Sequence, residues 1–362
     1  MSAAVGGQSG GVQVRAAATL AGAALLGAAA LASLTGCGVS GAGKTGSEAS
    51  LPTGDYLGEP IPGSKPRLFA PGIVNTGLPV RDMAITPECD EIFFSASIGR
   101  NTLATIIHVR RVDGRWQSPR VAPFADDPRF ASIEPAVSPD GQQLFFASDR
   151  PRRAGSVEPT DSDIWVVERR DRGWGPPEPL GPPVNTRAEE FFPAPTDNGS
   201  LYFTRRPSLT CREGILRSKW VDGSYQSPEE LPAPINAAPR QFNAFVDPGQ
   251  RYLIMPAARE DSLGGYDYYI SFRNDDDRWS DLIHLGAPVS HENRYEWSAY
   301  VTGDERFLFL MSARSVADVP KTLKWSAMRR LHASPGAGNP ALYWMDASFL
   351  TDLRARARWS RD

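Results

Sequence analysis

Hydrophobic and polar positions follow one another along this chain in strand-length runs that recur five times. Each copy has an apolar first strand, a turn rich in Pro, Asp and Gly, a very hydrophobic second strand, and then a short hairpin that carries an aromatic residue. The second-strand cores are EIFFSAS from Glu91, QLFFASD from Gln143, SLYFTRR from Ser200, RYLIMPA from Arg251 and RFLFLMS from Arg306. A repeat of about 50 residues made only of short strands predicts a five-bladed β-propeller, with a six-bladed ring as the less favoured alternative.

The turn between the first and second strands also repeats. Its clearest copy is Ser138-Pro139-Asp140-Gly141, in which Pro supplies the fixed φ of the second position and Gly closes a type I turn. Farther along each repeat a tight hairpin leads to an aromatic residue, and these residues are Trp116, Trp174, Tyr225 and Trp279. Aromatic side chains at matching places in a repeat are expected to pack between blades.

A displaced copy of one segment predicts how the ring closes. The outer strands lead into the segments LGPPVNT from Leu180, LPAPINA from Leu231 and LGAPVSH from Leu285. The same signature, FAPGIVNT from Phe69, stands ahead of any complete blade. We expect this N-terminal copy to complete the last blade, whose third strand is ALYWMD from Ala341, because closure removes two open sheet edges.

The N-terminal 37 residues are predicted to be an export signal. Arg15 precedes an Ala-rich and Leu-rich apolar run that ends in Leu34-Thr35-Gly36-Cys37. This tetrapeptide resembles the bacterial lipobox, which implies cleavage before Cys37 and lipid attachment to its sulfur. The protein is then expected at the bacterial cell envelope, anchored by lipid and exposed to the periplasm or the cell surface. The alternative is a transmembrane anchor followed by an ordinary cysteine.

Residues 38–64 are predicted to be a flexible tether, residues 65–353 the propeller, and residues 354–362 a basic C-terminal tail that is solvated. The tether contains Gly38-Val39-Ser40-Gly41-Ala42-Gly43-Lys44-Thr45, which matches the phosphate-binding pattern GxxxxGK[ST]. That loop needs a strand before it and a helix after it to bring backbone amides onto phosphate, and the tether offers neither. No nucleotide partner is therefore expected.

Composition narrows the classes of function. The formal net charge of −3 gives no reason to expect a nucleic-acid partner. No histidine or cysteine spacing of a metal site occurs, so neither a metal nor any other cofactor is expected. Cys89 falls in a turn and Cys211 in a loop on the opposite face of the ring, too far apart for a disulfide.

The residues of the second repeat carry a family resemblance. EPAVSPDGQQLFFASDR from Glu134, SDIWVVERR from Ser162, the Trp hairpin and LGPPVNT together resemble the WD-type propeller repeat of TolB-like bacterial envelope proteins. The resemblance spans nearly all of residues 65–353 and implies the architecture, but such repeats occur in binding proteins, peptidase accessory domains and sugar-active proteins alike. Blade five departs from it through an insertion of about 28 residues, from Arg314 to Ala341.

Charged residues at the start of the inner strands, together with the loops between second and third strands, are expected to meet at one mouth of the ring. The candidate ligand-binding residues are Arg81, Asp82, Glu134, Arg150, Arg187, Glu190, Arg240, Arg294 and Glu296. Arginine offers planar, bidentate recognition of anionic groups. The alternative for these charges is pairing across blades on a solvated rim.

From these features we expect a noncatalytic binding module for an envelope protein or an anionic glycan or peptide. No catalytic residue is assigned, because no nucleophile elbow or metal-hydrolase motif occurs. The alternative is a carbohydrate-active hydrolase or lyase that uses rim carboxylates, such as Glu134 and Glu296, together with arginines. For ligand binding at the mouth, the insertion of blade five is expected to act as a partial cover.

Overall fold

The computed structural model describes residues 52–99, 101–153, 155–208, 211–292, 295–316 and 320–359. The predicted signal peptide, Cys37, the GxxxxGK[ST] segment and Arg294 lie outside these residues.

The predicted five-bladed propeller is confirmed: antiparallel sheets form five blades, with sequential strands running from inner to outer positions. Blade 1 contains Val80–Ile85, Glu91–Ile98, Leu103–Val112 and Arg120–Val121, with a hairpin strand Arg115–Trp116. Blade 2 contains Ser132–Val137, Gln143–Ser148, Asp163–Arg170 and Glu178–Pro179, with Gly173–Trp174. Blade 3 contains Glu189–Pro195, Leu201–Arg206, Gly214–Ser218 and Glu229–Glu230, and its hairpin pairs Trp220–Val221 with Ser224–Tyr225.

Blade 4 has an interrupted inner strand, Arg240–Gln241 and Phe245–Val246, followed by Tyr252–Ala258, Asp267–Phe272 and Ile283–His284. Blade 5 contains Glu296–Val301, Phe307–Ser312, Ala341–Asp346 and, as its outer strand, Arg67–Leu68. The described helices are the α-helices Trp325–His332 and Phe349–Arg354 and the 3-10 turns Tyr56–Gly58, Pro123–Ala125 and Ile235–Ala237. Within the described residues, none of the helices has the length and apolarity needed to cross a membrane.

The N-terminal strand closes the ring as predicted. Arg67 pairs with Trp344 and Leu68 with Tyr343. Just beyond this strand, the Asn75 side chain donates to the Leu342 carbonyl at 2.9 Å and accepts from the Leu342 amide at 3.0 Å. This asparagine acts as an extra peptide group beside the third strand, which satisfies backbone groups that would otherwise be buried without partners.

The same device explains the repeated NT or NA in the segment that defines the clasp. Asn185 exchanges two hydrogen bonds of 2.9 Å with the backbone of Ile164 in blade 2. Asn236 does the same with Ile215 in blade 3, at 2.8 and 2.9 Å. The signature that revealed ring closure is therefore a hydrogen-bonding motif of the blade itself.

Apolar clusters fill the spaces between neighbouring blades, and the repeated aromatic residues belong to them as predicted. Trp116 is fully buried between blades 5 and 1, and Trp279 is buried between blades 3 and 4. Trp174 and Tyr225 are partly buried against the junctions of blades 1–2 and 2–3. Each blade thus buries its faces against its neighbours, so that the core is a series of clusters between blades.

Residues 52–63, which the sequence assigned to a flexible tether, lie on the ring, and we refer to them as the strap. Tyr56 and Leu57 are buried in the cluster between blades 5 and 1. The backbone amide of Trp116 donates to the Pro52 carbonyl at 3.0 Å. The predicted tether boundary at residue 64 is therefore wrong, because these two apolar side chains find a place in the core.

The predicted solvated tail also differs from the structure over its described part. Ala357 and Trp359 are partly buried against the cluster between blades 4 and 5. The Trp359 indole donates to the Arg278 carbonyl at 3.1 Å, and the Asp281 amide donates to the Arg358 carbonyl at 2.8 Å. An aromatic residue among the arginines supplies the apolar contact that a purely basic tail would lack.

Candidate functional site

Each inner strand is broken at the same place near the axis of the ring. The equivalent residues are Asp82, Glu134, Phe192, Asn243 and Ser298. The first four adopt positive φ angles of 58°, 61°, 52° and 49°. Such a conformation is unfavourable for residues other than glycine and asparagine and is held only by surrounding contacts. We call these five positions the bulge ring.

Hydrogen bonds from adjacent blades hold the bulge ring in place. The Asp82 amide donates to Ser298 Oγ at 3.2 Å, and the Asn243 amide donates to Thr204 Oγ1 at 2.9 Å. The Phe192 amide donates to a carboxylate oxygen of Glu134 at 2.8 Å. At each of these bulges a backbone amide therefore donates to a side chain of the neighbouring blade, and these bonds fix the positions of the bulge-ring residues near the axis.

A cavity of about 620 Å³ lies between the bulge ring and the first-to-second-strand turns. All five inner strands contribute to its walls, which are largely apolar and include Ile85, Val137, Tyr252 and Tyr300. Tyr56 of the strap adds one more aromatic wall. A concave, mostly apolar pocket with a few polar groups is the usual form of a small-molecule site.

Two carboxyl groups, from Asp82 and Glu134, line the inner end of the cavity, and Arg81 lies beside both. Arg81 Nη2 donates to Glu134 Oε1 at 3.1 Å, and its Nε lies 3.2 Å from Asp82 Oδ2. We call these three residues the carboxylate cluster. One guanidinium thus serves two buried acids, so the cluster is rich in negative charge.

Burial raises the pKa of Glu134 to about 7. The nearby Asp82 charge acts in the same direction, whereas Arg81 and the hydrogen bond from the Phe192 amide favour the ionised form. Glu134 therefore gains or loses its proton near neutral pH. A carboxyl group with this behaviour in a cavity can act as a proton donor or as a hydrogen-bonding ligand.

Asp82 is the more unusual member of the cluster. Its side chain is 1% exposed, and neither carboxylate oxygen has a hydrogen-bond partner in the described part of the chain. Buried carboxylates in folded proteins are normally hydrogen-bonded, because removing them from water is costly. Asp82 also lines the cavity, and the charge that faces its carboxylate is the Arg81 guanidinium, with Nε 3.2 Å from Oδ2.

The turns around the cavity carry further acids. Asp197, Asp247 and Asp304 line it, and the one cation among the described lining residues is Arg251. Arg251 is already paired with Asp247 at 2.7 Å and with Glu305 at 2.6 Å. The electrostatic character of the cavity is therefore negative from its turns to its inner end.

The structure separates the predicted site residues into groups. Asp82 and Glu134 reach the cavity, and Arg81 contacts both of them. Arg150 instead donates to the Phe124 carbonyl and to Ser132 Oγ, both at 2.9 Å, and stacks on Phe146 and Trp165. This arginine is committed to the junction of two blades, so the expected role in holding an anion does not fit its contacts.

The remaining candidates do not line the cavity. Glu190 is fully buried and accepts hydrogen bonds from Thr186 and from Arg205. Glu296 is also fully buried, and burial raises its pKa to about 7. Arg187 is exposed, and Arg240 is exposed and donates to Glu213 at 3.2 Å.

The cavity opens on the face opposite to the predicted mouth. It lies toward the turns between first and second strands, whereas the predicted mouth was formed by the loops that lead into the inner strands. Sequence reasoning therefore missed Asp197, Asp247, Asp304 and Arg251. The repeat of the turn between first and second strands could have indicated these residues. Its less regular copies in blades 3, 4 and 5 contain Asp197, Asp247 and Asp304, which all line the cavity.

Cys89 also lines the cavity and is half-buried, with Sγ 4.0 Å from the Tyr56 hydroxyl. Cys89 and Cys211 are both free thiols. Among the residues that the structure describes, no three His, Cys, Asp or Glu side chains gather into a group that could hold a metal ion.

Neither a protein-family model nor a curated protein matches the chain. Solved structures resemble it at low identity. TolB from Acinetobacter baumannii is 11% identical, covers 75% of this chain and 57% of its own, and gives a TM-score of 0.40. A TolB structure from Agrobacterium tumefaciens is 11% identical over 74% of this chain and 90% of its own, with a TM-score of 0.44. A structure named glycoside hydrolase is 10% identical over 81% and 93%, with a TM-score of 0.47.

The chain spans 57% of the length of the Acinetobacter TolB chain. These likenesses concern the fold alone. The five-bladed propeller itself is shown by the strand topology of this chain.

Proposed function

We propose that this propeller is a noncatalytic binding module whose central cavity takes a ligand with a positively charged, hydrogen-bond-donating group on an apolar body. The observation that carries the proposal is the buried Asp82 carboxylate beside the cavity, which has the Arg81 guanidinium as its ion-pair partner and accepts no hydrogen bond from the described residues. A ligand ammonium group would supply the missing donors. Charge-assisted hydrogen bonds of this kind are stronger than neutral ones.

The charges around the cavity support the same choice of ligand. Asp197, Asp247 and Asp304 add negative potential at the turns, and Arg251 is held by two carboxylates. Clefts lined by one sign of charge concentrate ligands of the opposite sign and speed their association. The anionic ligand expected from the sequence finds less support, because Arg81 and Arg150 are engaged in internal contacts.

Apolar walls and volume set the size of the ligand. A cavity of about 620 Å³ lies within the range of pockets that bury a small organic molecule. The same space admits a lysine side chain or an amino terminus presented by an envelope protein. Attachment at the bacterial cell envelope remains part of the proposal, supported by the lipobox-like Leu34-Thr35-Gly36-Cys37.

A set of three matched probes tests the proposal. Benzylamine, benzyl alcohol and benzoate share one apolar body and differ in charge. We expect calorimetry to detect benzylamine and not benzoate, with benzyl alcohol weaker than the amine. Asp82→Asn should weaken benzylamine binding at least about tenfold. The reason is that an ion pair with a desolvated carboxylate contributes several times more binding free energy than an ion pair with a solvated charge.

Glu296→Gln is the matched control, because this buried carboxyl group does not line the cavity. It should leave benzylamine affinity unchanged. Equal affinity for benzylamine and benzoate, or an Asp82→Asn variant that is folded and binds as the wild type does, would contradict the proposal.

A second candidate function is hydrolysis of a glycosidic bond, and one observation favours it. Glu134 has a pKa of about 7 and shares Arg81 with the neighbouring Asp82 in a cavity open to ligands. One protonated and one ionised carboxyl group are the parts of a glycosidase acid and nucleophile or base. If this function holds, release of nitrophenol from aryl glycosides should be measurable and should fall at least about a hundredfold in Glu134→Gln. A wild-type protein without activity on these substrates would contradict the glycosidase function, and the binding module would remain as the proposed function.

A further inference from the structure

The insertion of blade five exposes large apolar side chains on the surface. It carries the helix Trp325–His332, of which only Ala327 is buried. Leu323, Trp325 and Met328 are 65%, 73% and 48% exposed. Three such residues within six positions are uncommon on a water-facing surface and mark a place of contact.

The same segment is strongly basic. Lys321, Lys324, Arg329 and Arg330 are all exposed. No Asp or Glu occurs from Pro320 to Met345, and none of these four cations forms an ion pair within the described residues. The apolar residues and these cations, which have no ion-pair partner in the part of the chain that the structure describes, therefore lie together on one short segment, which we call the basic apolar patch.

A hydrogen bond within the insertion and contacts with the ring hold this segment in place. The Val316 amide donates to the Gly336 carbonyl at 2.9 Å. Asn339 donates from its side chain to the Gly77 carbonyl at 3.3 Å. A Cβ atom added at Gly77 would clash with the Ala333 carbonyl oxygen, so the segment after the helix packs closely on the loop that leads into blade 1. The helix is thus presented from a packed base.

We propose that the basic apolar patch docks on a membrane surface that contains anionic phospholipids. Short helices that combine Trp or Leu with Lys and Arg lie in the headgroup region, where the apolar side chains enter the acyl boundary and the cations meet lipid phosphates. Tryptophan is favoured at this depth. A purely electrostatic site for an acidic protein or a nucleic acid would not require three exposed apolar side chains.

Another exposed tryptophan shows what distinguishes the patch. Trp220, 44% exposed, lies beside Val221 on the hairpin of blade 3. Acids and bases balance around this hairpin: Asp222 lies in its turn, and the neighbouring Lys219 pairs with Glu229 at 3.2 Å. It lacks the excess of positive charge that anionic lipid requires, and it serves as an internal control.

A local probe tests the proposal independently of any lipid anchor elsewhere in the chain. Cys89 and Cys211 are replaced by Ser in the full chain with Cys37→Ser, and Ser326→Cys is labelled with an environment-sensitive NBD fluorophore. Vesicles of phosphatidylcholine with about 30 mol % phosphatidylserine should shift its emission to the blue, and vesicles of phosphatidylcholine alone should produce at least about tenfold weaker binding. The same label at Ser224→Cys, on the blade 3 hairpin, should not shift.

Two sets of substitutions separate the contributions. Leu323→Ala with Trp325→Ala should lower the Ser326 label's affinity for anionic vesicles about tenfold or more, and Arg329→Gln with Arg330→Gln should remove most of the preference for phosphatidylserine. Trp220→Ala should change neither value. All variants are checked for folding by near-ultraviolet circular dichroism.

Three results would overturn the proposal. The first is the absence of a blue shift at Ser326 with folded protein and anionic vesicles. The second is an equal shift at Ser224. The third is tight binding of poly-glutamate or of RNA at the patch without any response to vesicles, which would identify a polyanion instead of a lipid surface. None of these outcomes bears on benzylamine binding in the cavity, so the two proposals fail separately.

Discussion

At the scale of single residues, buried acids decide how the fold responds to pH. Burial raises the pKa values of Glu134 and Glu296 to about 7, above the ordinary value of 4.5. The folded protein therefore binds more protons than the unfolded chain between about pH 4.5 and pH 7. By linkage, these two groups make the free energy of unfolding fall as pH rises through this window.

Replacing Glu296 by Gln tests this sign. The neutral amide removes the cost of ionising a buried group, so Glu296→Gln should raise the free energy of unfolding at pH 8 by about 2 kcal/mol and change it little at pH 4. Urea unfolding at both pH values measures the effect. The exposed Glu292→Gln should show no such difference. A variant that is less stable than the wild type at pH 8 would contradict the prediction.

Arg150, one of the predicted ligand-binding residues, makes contacts that stabilise the scaffold. Its guanidinium reaches the Phe124 carbonyl and stacks on Phe146 and Trp165, a set of contacts that the point charge of lysine cannot reproduce. Arg150→Lys should therefore lower the free energy of unfolding by about 2 kcal/mol. The exposed Arg187→Lys provides the matched control and should lower it by less than about 0.5 kcal/mol. Chemical denaturation measures the free energy of unfolding of the two variants. Equal losses for Arg150→Lys and Arg187→Lys would mean that Arg150 contributes no more to stability than a solvated arginine.

At the scale of elements, two separate contacts attach residues 52–68 to the rest of the propeller. Arg67–Leu68 completes blade 5, and the strap inserts Tyr56 into the cluster between blades 5 and 1. The first contact was predictable, because the segment repeats a signature found in three other places. The strap was not, because Tyr56 and Leu57 match no part of the repeat and stand in a stretch rich in Gly and Pro.

The strap should contribute measurably to stability. The Tyr56 ring packs edge-on against Phe307 with centroids 5.1 Å apart and lies 5.7 Å from Trp344. Tyr56→Ala removes a buried aromatic side chain and should lower the free energy of unfolding by about 3 kcal/mol. Ile61→Ala, at a residue that is 58% exposed, should have almost no effect. Thermal unfolding monitored by circular dichroism would show whether the two variants differ; identical midpoints would mean that the strap is not part of the cooperative unit.

The sequence predicts the features that each repeat carries within itself, and it does not predict the features that depend on contacts between distant blades. Blade number, ring closure and the packing of Trp116 and Trp279 all follow from a pattern that each repeat carries within itself. The cavity does not, because its position depends on where side chains from five blades meet at the axis. Asp82 and Glu134 were recognised as charged inner-strand residues, but the end of the channel that they face was set by long-range packing.

At the scale of the whole molecule, the cavity and the basic apolar patch lie on opposite faces of the ring. The cavity faces the first-to-second-strand turns, and the patch belongs to a loop between second and third strands. If the patch rests on a lipid surface, the cavity opens away from it. Ligands would then reach the cavity from the aqueous compartment without competing with the membrane.

Alkylation of cysteine provides a measurement of this arrangement. Cys89 lines the cavity, and burial raises the pKa of its thiol, so the reaction is followed at about pH 8.5. Saturating benzylamine should slow iodoacetamide labelling of Cys89 at least about fivefold and leave the exposed Cys211 unaffected. Anionic vesicles should leave Cys89 labelling unchanged. Peptide mass spectrometry distinguishes the two thiols. Protection of Cys89 by vesicles would mean that the cavity and the membrane-docking surface lie on the same face, which would contradict this arrangement.

Ring closure also has a consequence for the making of the protein. The contact between Asn75 and Leu342 joins residues 267 positions apart. A chain that emerges residue by residue, from a ribosome or through a translocation pore, cannot complete its fifth sheet until both partners are present, and such distant pairing is slow. Until that moment the apolar residues Phe69 and Val74 lack the blade 5 side chains against which they pack in the finished ring. A chain shortened before Leu342 would lack the partner of Asn75, so its N-terminal strand would have no sheet to join.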